Sequence, residues 1–394
     1  MSLLTNHITF GIEIECILGL RGPAVTAENY LNPQPCPAID PALHLALRRA
    51  GIPIPLTTEL RDGDKSANYN VWSIVQDCSV STDDSVNERN AMRLLGLANI
   101  ANSAASEYSE IILTGPTGRE YRVDGREIVS RVFHHAEIWN GRFARELDAA
   151  LWALHRNPWA VGHTEDCGLH VHVGLPVQNP VLAPHCLAPF RRLAVLAVVC
   201  EEAMEYITTR QTHFAAAVAD PMFYPVMRDL EICNYLLDCS TLWDLQQKML
   251  AWPQDRKRLP TQRVFAAFWS HTGDRYFRMS FHPLEMQVPM DMPGEVGHGT
   301  VEFRIHPATV GSRRIEMWTR VCVGMVRTCA MMGDAEFRKC LMREGGRNIT
   351  CQRFMECFVR DAEALRYWIQ DKKEEDMSDE DIGSEDGSED GSED

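Results

Sequence analysis

Several features that would settle a protein's class at once are missing from this sequence of 394 residues. It has 13 cysteines but no C-x-x-C pair, and its closest spacings, Cys233/Cys239 and Cys351/Cys357, match no zinc pattern. The thiols therefore read as small core residues of a protein in a reducing compartment, the cytoplasm or the nucleus. No apolar leader opens the chain, because MSLLTNHITFGIEIEC acquires carboxylates at Glu13 and Glu15. The longest apolar run near a helix, LAVLAVVC at 193–200, falls far short of the roughly 20 residues that span a bilayer, so no membrane partner is expected. Neither G-x-G-x-x-G nor G-x-x-x-x-G-K-[ST] occurs, which removes the dinucleotide fingerprint and the P-loop.

Positive charge is also scarce. The formal net charge is −16, and it is unevenly spread. Residues 371–394 hold 13 acidic residues and two lysines, a net of −11, which leaves about −5 for the other 370. A broad nucleic-acid-binding surface is not indicated. The tail repeats GSED three times and offers no apolar surface to offset ordering entropy. It reads as an acidic disordered segment, 371–394, behind a single body, 1–370.

The body is rich enough for a large core, at 45% hydrophobic residues. HITFGIEIECIL, YNVWSIVQDCSV, YSEIILTGP, DCGLHVHVGLP and GTVEFRIHPAT read as strands, with a further one in DRYFRMSFHPL. Helical periodicity appears near PALHLALRRAG and along 124–156. It recurs in PFRRLAVLAVVCEEAMEYITTRQ, in at least one helix within 213–270, and in SRRIEMWTRVCVGMVRTCAMM. Strands and helices mix without a βαβ rhythm, so the expected class is α+β with a largely antiparallel sheet.

Three of these strands share one design. Alternate side chains of a strand point to one face. GIEIE therefore pairs Glu13 with Glu15, and CGLHVHVG pairs His170 with His172 opposite Leu169, Val171 and Val173. VEFRIH aligns Glu302, Arg304 and His306. Charged and imidazole groups on core strands must be paired or metal-bound, and three such strands in one body predict a shared polar site. Glutamates and histidines without an obligatory thiol suit Mg²⁺ or Mn²⁺. An arginine on the same face suits a phosphate or carboxylate. Divalent ions plus arginine form a workable apparatus for phosphoryl transfer from ATP.

Six of these stretches, in order from about residue 8 to 330, resemble the amidoligase family of the carboxylate–amine ligase superfamily, which includes glutamine synthetase and glutamate–cysteine ligase. They are FGIEIE, WSIVQDCSV, EIILTGP, CGLHVHVG, DRYF and TVEFRIHPAT. The resemblance implies a curved antiparallel sheet backed by helices, a glutamine synthetase-like catalytic fold, with ATP and two or three Mg²⁺ ions in its concave mouth. It implies Glu13, Glu15, Glu110, His170 and Glu302 as metal ligands. His172 would sit at the transferred phosphate or substrate, and Arg304 at the phosphate. Asp77 would act at the substrate amine or give structural support, and Arg275 and Tyr276 would lie near the nucleotide or a substrate carboxylate. The family often carries Asn after its RY pair, where this chain reads FRMSF with Ser280. No family role carries over to His163 or His306, which read as structural. The implied activity is ATP-dependent formation of an amide or isopeptide bond between a small-molecule or peptide carboxylate and an amine. Two other readings stay open at this point: a metal-dependent hydrolase using the H-x-H strand, and a ligase-like protein that binds without turnover.

Overall fold

The computed structural model describes residues 3–24, 36–54, 70–75, 94–97, 102–105, 111–114, 119–163, 167–208, 229–249, 279–280 and 299–371. The architecture is α+β. Among the described residues ten strands, β1 to β10 in chain order, form one sheet whose main path runs β3-β4-β5-β1-β8-β10-β9. Every pairing in it is antiparallel, as the mixed strand and helix order implies.

The long strand β1 (Thr9–Arg21) is the axis of the sheet. One edge of it carries β5 (Glu120–Val129) and the short β6 (Phe133–His134). The other carries β7 (Trp159–Gly162) and β8 (Gly168–Gly174). Beyond β8 lie β10 (Thr300–Pro307) and β9 (Met279–Ser280). Next to β5 lie β2 (Ser73–Val75) and β4 (Ile111–Thr114), and β3 (Asn102–Ala105) pairs β4.

Burial separates the two faces. Ile12, Ile14, Cys16 and Leu18 of β1, Leu169, Val171 and Val173 of β8, and Val301 and Phe303 of β10 are all at most 1% exposed and join the main core. Helices cover this back face: α1 (Ile39–Arg49), α2 (Ala136–Trp139), α3 (Arg142–Leu154), α4 (Ala183–Val199), α5 (Glu201–Thr208), α6 (Asp229–Leu237), α7 (Leu242–Met249) and α8 (Ser312–Met331). The apolar run 193–200 lies in the core, and no helix among the described residues is long and apolar enough to cross a membrane. Of the twelve cysteines described, ten are buried and all are free thiols.

Three sequence expectations are corrected. The stretch 124–156 is helical only from Ala136 onward, because 124–129 belongs to β5, paired along β1. The buried segment 189–211 is not one helix, since α4 ends at Cys200 before α5 begins. The third concerns His306. β10 has a bulge between Phe303 and His306, so that His306 falls opposite Leu169. An extra residue in a strand reverses the alternation beyond it. His306 therefore leaves the face of Glu302 and enters the core, where its ring lies 5.4 Å from that of Trp318 and 5.9 Å from that of Trp368. Residues 334–371, for which the sequence offered no motif, add α9 (Asp334–Arg343), which packs on α4 and α6, α10 (Cys351–Phe354), which packs on α5, and α11 (Ala362–Arg366), which packs on α8 together with residues 355–359. Arg320 of α8 bonds Glu316, Asp361 and Glu363.

Candidate active site

The sheet order brings β1, β8 and β10 side by side, and their register does the rest. Glu13 pairs with His170, and His172 pairs with Glu302. Residues directly opposite in an antiparallel pair share a face with Cβ atoms about 5 Å apart. All four thus project from the front face, away from the helices. The alternation read from the sequence at 13/15 and 170/172 is observed, and Arg304 joins the set through its contact with Glu302.

At the centre, Nδ1 of His170 lies 3.4 Å from Oε2 of Glu13 and 3.6 Å from Oε1 of Glu302. Glu13, His170 and Glu302 each offer one ligand atom, all within 4.8 Å of one another. On the other side of the ring, Nε2 of His170 is 3.5 Å from Oε1 of Glu15, whose Oε2 accepts a 2.5 Å hydrogen bond from the N–H of Gly168. Glu15, His170 and Glu302 are 4–6% exposed. Carboxylates converge here at a depth where unbalanced charge is costly.

His172 occupies the mouth of this cluster. Its Nε2 is 3.0 Å from Oε1 of Glu13 and 3.8 Å from Oε1 of Glu302. That atom is buried, and no aligned hydrogen bond satisfies it among the described residues. Burial acts to lower the His172 pKa, but the Glu13 and Glu302 charges outweigh it and lift the imidazole to about 9. Burial acts to raise Glu13, yet His172 and His170 hold its carboxyl well below the usual range. Burial likewise opposes the charge on Arg304, and Glu302, Glu15 and Glu13 more than restore it.

The front face has different ends. Toward the C-terminal end of β1 it is closed by a small apolar cluster that includes Ile17, Tyr121, Val123, Leu113 and Cys167. Toward the start of β1 a cleft of about 460 Å³ opens beside Glu13 and His172. Val132, Leu175 and Val177 give it apolar walls, and Thr9, Ser130 and Gln178 add polar groups.

With this geometry in place, the comparison with protein families decides the kinship. The model of the family described as "putative amidoligase enzyme" matches residues 6–326. The chain belongs to the amidoligase family. The matched span holds every member of the cluster. No curated protein matches this amidoligase chain. Family membership makes ligation the coarse activity class.

Of the site residues named from the sequence, the structure unites Glu13, Glu15, His170, His172, Glu302 and Arg304. Asp77, Glu110, Arg275 and Tyr276 lie outside the described residues. One carboxylate escaped the sequence reading. Glu127 of β5 stands directly opposite Glu15 on the front face of the amidoligase sheet. The signal for it was available in EIV at 127–129, which repeats the glutamate-apolar pattern of GIEIE. It was masked because the preceding alternation buries Asp124 and Arg126 on the back face, where they pair with each other and with Asp40.

Proposed function

We propose that this amidoligase is an ATP- and Mg²⁺-dependent carboxylate–amine ligase on a glutamine synthetase-like sheet. The γ-phosphoryl group of ATP passes to a substrate carboxylate, giving ADP and an acyl phosphate. An amine then attacks the acyl carbon, inorganic phosphate leaves, and an amide or isopeptide bond remains. The observation that carries the reading is the convergence of Glu13, His170 and Glu302 with Arg304, next to a cleft that Glu13 and His172 line.

The residues fit the ion. Two carboxylates and an imidazole form a donor set for a hard or borderline divalent cation, Mg²⁺ or Mn²⁺. Burial pushes the nearby Cys16 thiol well up, so it offers no thiolate to compete. Glu13, His170 and Glu302 would hold one ion. Glu15 and Glu127, opposed across β1 and β5, would add carboxylate oxygens for a second. Such ions supply charge neutralisation and alignment of the phosphate oxygens.

The chain's own side chains do the remainder. Arg304 presents a guanidinium fork that can move from Glu302 to the oxygens of the transferring group. His172, whose Nε2 lies 3.0 Å from Oε1 of Glu13, lines the cleft and would offer its imidazole to a phosphate oxygen or the substrate there. The apolar walls of the cleft suit a purine and its hydroxyl and amide groups suit a ribose, in a volume typical of small-molecule sites, about 300–1,000 Å³. Through the family resemblance Asp77 is assigned the amine proton, Glu110 a metal, and Arg275 with Tyr276 the nucleotide or substrate carboxylate.

The test is ADP release by the purified chain with Mg·ATP and pools of amino acids, di-acids and polyamines. Release that requires a pool and disappears in Glu302→Ala and Arg304→Ala supports a ligase. Release that ignores the pools, or survives both substitutions, contradicts it.

A further inference from the structure

Gly168 opens β8 at the point where the cluster is tightest. Its N–H donates to Oε2 of Glu15 at 2.5 Å. On the side-chain direction there is no room for a carbon. A Cβ placed on Gly168 would stand 2.6 Å from Nε2 of His170 and 3.2 Å from Oε2 of Glu15. The His170 ring thus folds back over the strand into the space that the missing Cβ leaves. In that pose its Nδ1 faces Glu13 and Glu302, and its Nε2 faces Glu15.

We propose that Gly168 is a positioning residue of the metal cluster, holding the Glu15 carboxylate through its N–H and admitting the His170 ring over its bare Cα. This rests on the reading of Glu13, His170 and Glu302 as metal ligands. Some other described glycines are tight for ordinary packing reasons. A Cβ on Gly324 of α8 would stand 2.6 Å from the carbonyl oxygen of Val359, far from the cluster. At Gly168 both close neighbours are site side chains. Alanine there keeps the N–H and, as the better strand residue, gives no intrinsic reason for loss. What it adds is a methyl group that tips the imidazole. Groups that orient a ligand of this kind typically matter by 10- to 100-fold in metal affinity.

The experiment is a double-mutant cycle read by Mn²⁺ binding, using the electron spin resonance of free Mn²⁺. It uses the full chain, Gly168→Ala, His170→Ala, the double variant, and Gly324→Ala as a packing control. The wild type should bind. Gly168→Ala should bind roughly 10- to 100-fold more weakly. Gly324→Ala should lose thermal stability but bind as the wild type does. In the His170→Ala background Gly168→Ala should cost nothing further, because the ring it displaces is gone. If Gly168→Ala alone does not fold, the double variant should. Equal Mn²⁺ affinity of wild type and Gly168→Ala overturns the proposal. So does an undiminished effect in the His170→Ala background, or a double variant that also fails to fold. A wild type that binds no Mn²⁺ instead overturns the metal reading itself, and the positioning role with it.

Discussion

Replacing Trp368 by alanine tests whether the chain beyond the family match belongs to the catalytic body. The match ends at residue 326, yet Trp368 is 3% exposed and joins the main core. Its ring lies 5.9 Å from that of His306 and 4.9 Å from that of Tyr367. His306 is two residues past Arg304, just beyond the bulge. A buried tryptophan removes about 150–250 Å² from water, worth about 4–6 kcal/mol at about 25 cal/mol per Å². Measured truncations of this type cost about 3–5 kcal/mol, because the site collapses in part. Against a total stability of about 5–15 kcal/mol this is a large fraction. With a urea slope of about 3 kcal/mol per M, the unfolding midpoint should fall by about 1–1.7 M, with the slope unchanged. Equilibrium urea unfolding followed by far-UV circular dichroism measures it. A fall under about 0.3 M, or a separate early transition that leaves the main one in place, would refute the argument that 334–371 and the sheet form one cooperative unit.

Other consequences concern charge. Arg304→Ala leaves the buried Glu302 without its guanidinium partner, with Glu13 and Glu15 close by. Breaking a buried pair from one side typically costs about 3–5 kcal/mol. Chemical denaturation without divalent ions should show the loss, and millimolar Mn²⁺ should restore part of it; equal stability of variant and wild type would count against the packed cluster. Arg131 lies between Glu137 and Glu146 at 2.7 and 2.8 Å. Burial acts to raise the Glu137 carboxyl, but hydrogen bonds from Arg131 and the His134 N–H lower it below its ordinary value of 4.5. A carboxyl lowered in the folded state stabilises above its unfolded pKa and loses that contribution as pH falls through the folded one. The melting temperature of Glu137→Gln should therefore lie below wild type at pH 6, and the gap should narrow below pH 4.5; a gap independent of pH would exclude this linkage. Divalent ions should raise the wild-type melting temperature, since about 2.7 kcal/mol accrues at one hundred times Kd. Chelator should reverse the rise, and Glu302→Ala should abolish it; a rise that persists in that variant would place the ion elsewhere.

The strands that build the site were legible because their polar and apolar residues alternate strictly. GIEIE and CGLHVHVG each set two ligand-type groups against buried Ile, Leu or Val, and the structure keeps both alternations. β5 was not legible for the opposite reason. Its back face buries Asp124 and Arg126 at 2–3% exposure, sustained by mutual pairing and by Asp40, so the period of two carries the wrong polarity. Glu127 was lost with it. The bulge in β10 leaves no local mark in VEFRIH. Only pairing with β8 shows that His306 turns inward while Glu302 and Arg304 stay on the front. The break at Cys200 is similarly tertiary, since the apolar positions Val199, Ala203 and Ile207 keep a helical spacing across Glu201 and Glu202.

The most direct measurement is a crystal structure of the full chain soaked with Mn²⁺ and a non-hydrolysable ATP analogue, with anomalous scattering to locate the ion. The account predicts an anomalous peak coordinated by Glu13, Nδ1 of His170 and Glu302, with the γ-phosphate within reach of Arg304 and His172 and the base in the cleft at Val132 and Leu175. An ordered nucleotide bound elsewhere, or an ion that leaves Glu13, His170 and Glu302 uncoordinated, would contradict it.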